Sequence, residues 1–189
     1  VLNNIVIPKA DYLRNGIEVT GNGSTVIGNT IYGKKLTEDW ASCGIQVDDA
    51  SNVDVIGNDI IGDSTNGVDN GICIAAWDYD IDDVLVKENL ISNSNFNAIN
   101  LSSNIAARTI SNITIEANSL STSAIGIGFY GMDSTNKLTL NGQIKSINNE
   151  FDTENNDIYI GPDVIGGEEL TIIVSPNWWG QITGPFTTD

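Results

Sequence analysis

The chain has 189 residues, with 25 acidic against 8 basic side chains, a net charge of −17 at pH 7 and no histidine. A surface so acidic repels nucleic-acid backbones and anionic membrane faces and attracts divalent cations. The lack of histidine removes Ser-His and Cys-His nucleophile systems, imidazole acid/base catalysis and His-ligated zinc. No apolar run approaches the roughly 18 residues of a membrane span, so direct insertion is not expected. Cys43 and Cys73 form no CxxC pattern, and spacing leaves open whether they pair. The length suffices for one continuous core, and residues 1–189 are taken as a single domain.

In chain order the elements repeat. Asparagine recurs at Asn4, Asn29, Asn58, Asn89, Asn118, Asn149 and Asn177, at intervals of 25, 29, 31, 29, 31 and 28 residues. Three residues before each stand Val1, Val26, Val55, Val86, Ile115, Ser146 and Val174, and two residues after stand Val6, Ile31, Ile60, Ile91, Leu120, Phe151 and Trp179. All but Ser146 are apolar. A short strand also precedes each ladder position after Asn4, beginning with Gly16-Ile17-Glu18-Val19, Gly44-Ile45-Gln46-Val47 and Gly71-Ile72-Cys73-Ile74. It continues with Ala98-Ile99-Asn100-Leu101, Ile125-Gly126-Ile127 and Asp157-Ile158-Tyr159-Ile160.

Three Ile/Val-rich strands per repeat cannot each bury a face alone, so parallel stacking of coils about 4.8 Å apart satisfies them together. The spacing predicts an all-β, right-handed parallel β-helix solenoid of about six coils. At one turn of every coil an asparagine amide donates to and accepts from its neighbours, its short side chain suiting left-handed geometry. Longer intervals are expected to be absorbed by loops at 32–43, 62–70, 102–108 and 161–169.

Coils such as GIQVDDASNVDVIGNDI, residues 44–60, resemble those of the pectate-lyase-like superfamily of right-handed parallel β-helices. That resemblance covers essentially the whole chain. The closing NWWGQITGP, residues 177–185, is similar to the end of repeat domains in large bacterial and archaeal surface or adhesin-like proteins. The resemblance implies a substrate groove along the outer face of the sheet formed by the GIxV strands. It also implies an extracellular or cell-surface module next to other domains of a longer protein. Because Val1 begins inside a coil, upstream coils or a further domain are expected. Residues 177–189, with Trp178 and Trp179, are expected to cap the solenoid.

Counting inward from the isoleucines, the outward residues of that face are Glu18, Gln46, Cys73, Asn100, Gly126 with Gly128, and Tyr159. One carboxylate among them falls short of the acid and base of a hydrolase. Arg14 and Arg108 lie too far apart to share the site of a calcium-dependent lyase. Trp40, Trp77, Tyr79, Tyr130 and Tyr159, with Asn100, are the candidate ligand-binding residues, since aromatic faces beside amides stack and hydrogen-bond sugar rings. The cluster Asp78, Asp80, Asp82 and Asp83 is the candidate Ca2+ site, with Asp48 and Asp49 one coil below. No EF-hand motif is present. The expected function is therefore a non-catalytic, adhesin-like module contacting a polysaccharide or cell-surface glycan. A polysaccharide lyase or glycoside hydrolase, and a structural spacer, are the alternatives.

Overall fold

The computed structural model describes residues 1–7, 15–33, 42–63 and 67–179. Among them there is no helix. Every strand pairing is parallel, and three sheets wrap one core. The first sheet contains Asn15–Val19, Cys43–Asp48, Val68–Ala76, Ser94–Ser103, Ile125–Tyr130 and Asn156–Ile160. The second is built from Thr25–Ile27, Val53–Ile56, Ile81–Lys87, Arg108–Glu116 and Leu138–Ile147, and closes on Val164–Gly166 and Thr171–Ile173. Short strands make the third: Ile5–Val6, Thr30–Gly33, Asp59–Gly62, Leu90–Ser92, Ser119–Ser121 and Glu150–Asp152.

The chain is thus a parallel β-solenoid of about 5 turns, with a partial coil at each end, rather than six. The difference lies at the carboxyl end. After Asn156–Ile160 the second-sheet segment splits into two three-residue strands, and among the described residues the third sheet gains only the isolated bridge from Trp178 to Glu150. Of the expected loops, 34–41 and 64–66 lie outside the described residues, and 161–169 contains the strand Val164–Gly166.

Register keeps each column of like residues aligned. Ile17, Ile45, Ile72, Ile99, Ile127 and Ile158 pair in succession, as do Ile31, Ile60, Ile91, Leu120 and Phe151. Their interior members form one buried core, which Trp179 extends by stacking on Phe151 with ring centroids 5.0 Å apart. Ser146, the polar exception, is buried and accepts a hydrogen bond from Asn149 Nδ2 through its hydroxyl, so the column loses an apolar contact without leaving that amide unmet.

The glycines that open the first-sheet strands sit at an inner corner. A Cβ at Gly44 would meet Ile60 Cγ2 at 2.5 Å, and one at Gly71 would meet Ile91 Cγ2 at 2.4 Å. Alanine replaces glycine only at Ala98, where the third-sheet position is Leu120 and has no β-branch. Gly126 belongs to this corner, its Cβ position lying 2.6 Å from Phe151, so it does not face outward as the alternation count had it.

The asparagine ladder runs the length of the solenoid with a fixed polarity. Asn58 donates its backbone N–H and its Nδ2 to Asn89 Oδ1, each at 2.9 Å. Asn89 does the same to Asn118 at 2.9 Å, and its Nδ2 also donates back to Val55 O at 2.9 Å. The pattern extends from Asn4 to Asn177. Left-handed geometry falls on the residue before the ladder position: Asn3, Gly28, Gly57, Glu88, Ala117 and Asn148 have φ between 48° and 65°. The six asparagines from Asn4 to Asn149 thereby keep an ordinary backbone while the predecessor turns the corner; Asn177 follows Pro176 instead. A second left-handed column, Gly23, Asn52, Asp83, Asn112 and Gly142, makes the turn or bulge that leads into the second sheet.

Two outcomes follow from this geometry. Asn89→Ala strands buried partners in both neighbouring coils and should cost about 3 kcal/mol or more in denaturant unfolding, whereas Asn4→Ala at the exposed end should cost under about 1 kcal/mol. At the left-handed column, Gly57→Ala should cost about 1 kcal/mol from backbone strain, and Ala117→Gly should be neutral or stabilising by a similar amount. The Gly57 variant isolates the backbone term because a Cβ there would meet no atom within 4 Å.

Candidate functional site

The first sheet presents two outward columns over its middle coils, one through Asn70, Asn97 and Ile125 and the other through Cys73, Asn100, Gly128 and Tyr159. Tyr130 folds back along this face. Its ring occupies the space a Cβ on Gly128 would need, at 2.5 Å, and its hydroxyl donates to Asn97 Oδ1 at 2.9 Å. Asn97 Nδ2 in turn donates to Asn70 Oδ1 at 2.8 Å, so three coils are tied through side chains alone. Tyr159 packs against Tyr130 with ring centroids 5.5 Å apart. The protein's own phenol therefore fills the space above Gly128.

Beside these rings lies an open groove of about 590 Å3, within the roughly 300–1,000 Å3 typical of small-ligand sites. Asn70, Asn97, Asn100, Asn104, Asn155 and Asn156 supply amides, Ser102 a hydroxyl, and Phe96, Tyr130 and Ile125 apolar surface. Among the described residues no lysine, arginine, aspartate or glutamate lines it. Asn100 and Asn104 both donate to Ser102 Oγ, at 3.3 and 3.2 Å, which fixes the amides on the groove floor.

The structure places Asn100, Tyr130 and Tyr159 near one another on the first-sheet face. It places Trp77 and Tyr79 elsewhere, in the turn between the first and second sheets. Trp77 donates its backbone N–H to Asp49 and accepts from Arg108 Nε, and its indole nitrogen is buried without a partner among the described residues. Tyr79 is 70% exposed. Trp40 lies outside the described residues.

Sequence reasoning missed Phe96 and the flanking asparagines. A register shift between Ser94 and Asn97 breaks the alternation and leaves Phe96 half exposed. The run SNSNFNAIN, residues 92–100, held the signal in its one aromatic among asparagines.

Three of the acidic turn residues, Asp49, Asp80 and Asp82, accept hydrogen bonds from the next coil. Asp49 takes the backbone N–H groups of Trp77, Asp78 and Tyr79 at 2.7 to 3.1 Å. Asp80 takes that of Thr109 at 2.8 Å, and Asp82 takes the Ser111 hydroxyl at 2.7 Å and the Asn112 amide at 2.8 Å. Asn112 and Asn141 repeat the role for Gln143 and Glu169. Asp83 holds a left-handed turn position, at φ 58°. Among the described residues no three His, Cys, Asp or Glu side chains converge where a cation would sit.

On the outward face below the groove, Cys43 and Cys73 form a disulfide with their Cα atoms 6.1 Å apart. It joins adjacent coils diagonally, because Cys73 is in register with Gln46 rather than with Cys43. A second, polar hollow of about 250 Å3 lies at the turn between the third and first sheets. It is lined by Asp63, Asn93, Asn95, Thr122 and Glu154, together with Ser94, whose buried hydroxyl has no partner among the described residues.

Burial and the adjacent Tyr159 raise the pKa of Tyr130 above its ordinary 10.0, opposed by the hydrogen bond to Asn97. The fold thus favours the neutral phenol. Its contribution is whole below pH 10 and is lost as pH rises through the raised value.

No family model matches the chain, and no significant match is found among curated proteins or solved structures.

Asp49→Ala should destabilise by about 1–3 kcal/mol by stranding the N–H groups it accepts, while Asp49→Asn retains an acceptor and left-handed tolerance and should lose far less. Reducing the disulfide, or Cys43→Ser with Cys73→Ser, should lower stability by about 3 kcal/mol on chain-entropy grounds. Thermal melts across alkaline pH should show a shallower loss in Tyr130→Phe than in the parent chain.

Proposed function

We propose that this chain is a non-catalytic β-solenoid module that binds carbohydrate along the outer face of its first sheet, displayed outside the cell in an adhesin-like setting. The groove of amides and aromatic edges carries the reading. Sugar hydroxyls donate and accept at once, as do asparagine amides, and the apolar faces of sugar rings pack on Phe96 and on the Tyr130–Tyr159 pair. Support for an extracellular place comes from the disulfide, since such bonds persist chiefly in oxidising compartments. The resemblance of the coils to the pectate-lyase-like superfamily, and of the closing segment to surface repeat proteins, points the same way. Against cleavage in this groove stands its lining, which among the described residues offers neither an acid and base pair nor a cation.

A second reading rests on Asp63 and Glu154. Two carboxylates facing one polar hollow are the minimum a glycoside hydrolase needs, so a catalytic solenoid would work there rather than in the groove.

Isothermal titration against a panel of plant, algal and bacterial-wall oligosaccharides should reveal a binder weakened at least about tenfold, or ~1.4 kcal/mol, by Phe96→Ala or Tyr159→Ala. Assays for reducing ends and unsaturated products should stay silent. Turnover abolished by Asp63→Asn or Glu154→Gln would favour the hydrolase, and silence in both assays would favour a spacer.

A further inference from the structure

We infer that the groove selects uncharged sugar chains and rejects uronate and other anionic polysaccharides. The inference rests on the carbohydrate reading above and adds the class of glycan.

Three observations carry it. First, every polar side chain lining the groove among the described residues is an amide, a serine hydroxyl or a phenol, so none of them sets a fixed charge against the ligand. Second, the described cations lie away from the groove. Of the described residues, Lys87, Arg108 and Lys145 lie on second-sheet strands and Lys137 directly precedes one. Lys87 is moreover held 3.6 Å from Glu88 and 3.8 Å from Glu116. Third, the chain's net charge of −17 sets an unfavourable potential for any polyanion approaching a face with no local counter-charge.

An anionic sugar would have to bring its carboxylate against amides under a repulsive long-range field, without the charge-assisted bonds that arginine or lysine give elsewhere. A neutral sugar meets no such cost. Its hydroxyls fit donors and acceptors already held in place by the Asn100, Ser102 and Asn104 bonds, and its ring faces meet Phe96 and Tyr130. The groove runs from Asn70 on one coil to Asn156 three coils on. At the ~4.8 Å coil spacing that is about 14 Å along the axis, room for a short oligosaccharide rather than a single ring.

Affinity electrophoresis of the intact chain, with the same loading of neutral polymers (mixed-linkage β-glucan, galactomannan, galactan) and of polygalacturonate and alginate, tests this at 50 and 500 mM NaCl. The expected result is retardation by at least one neutral polymer, at least tenfold stronger than by either uronate polymer and little changed by salt. Asn156→Lys, at an exposed position on the groove edge, should raise retardation by polygalacturonate at least threefold at 50 mM NaCl, a gain that vanishes at 500 mM. Retardation by a uronate polymer as strong as by any neutral one overturns the selectivity while leaving carbohydrate binding standing. Retardation by neither class overturns both.

Discussion

Parallel stacking creates a hydrogen-bonding demand at each corner of each coil, where the chain leaves one sheet for the next and the backbone groups cannot all meet their strand partners. The asparagine ladder answers it at the corner between the second and third sheets. Each Oδ1 accepts two donors from the coil before, and each Nδ2 reaches both the next Oδ1 and a carbonyl of the preceding coil. Buried amides satisfied on both sides are costly to break and weak reasons to form alone, so they fix register more than they add net stability. The rest depends on that register. The isoleucine columns, the glycine corners against Ile60 and Ile91, and the outward asparagine and tyrosine rows align only if every coil stacks in step.

The same logic repeats at the first turn with different chemistry. Asp49, Asp80, Asn112 and Asn141 each accept a backbone N–H from the coil that follows. Of the acidic residues clustered at this turn, Asp49, Asp80 and Asp82 thus bond the coil that follows. The groove is a by-product of the same stacking. Amides that face outward on successive coils come into line, and a register shift at Phe96 supplies an apolar edge beside them.

What the sequence made legible was whatever recurs at a fixed offset. The ladder asparagines, the valine and isoleucine columns and the parallel sheets follow from spacing alone, because each column must bury or pair in the same way on every coil. Features set by one coil's departures were not legible. The alternation count put Gly126 outward, but the corner beside Phe151 draws it in. Left-handed geometry sits one residue before the ladder, where glycine, asparagine, glutamate and alanine all occur and no single residue type marks it. Trp77 belongs to the interior of a turn by virtue of Asp49 and Arg108, contacts that no periodicity encodes. Cys43 and Cys73 pair diagonally, and that offset becomes visible only once Cys73 is known to lie level with Gln46.

The claim that the ladder governs the fold is tested most directly by residue-resolved amide hydrogen exchange on the intact chain. The backbone N–H groups of Asn58, Asn89 and Asn118 each donate to the Oδ1 of the following ladder asparagine. They should therefore exchange only through global unfolding, with the largest protection in the protein. If instead they exchange as fast as the amide of Ser134 in its exposed turn, the ladder is not what holds the coils in register.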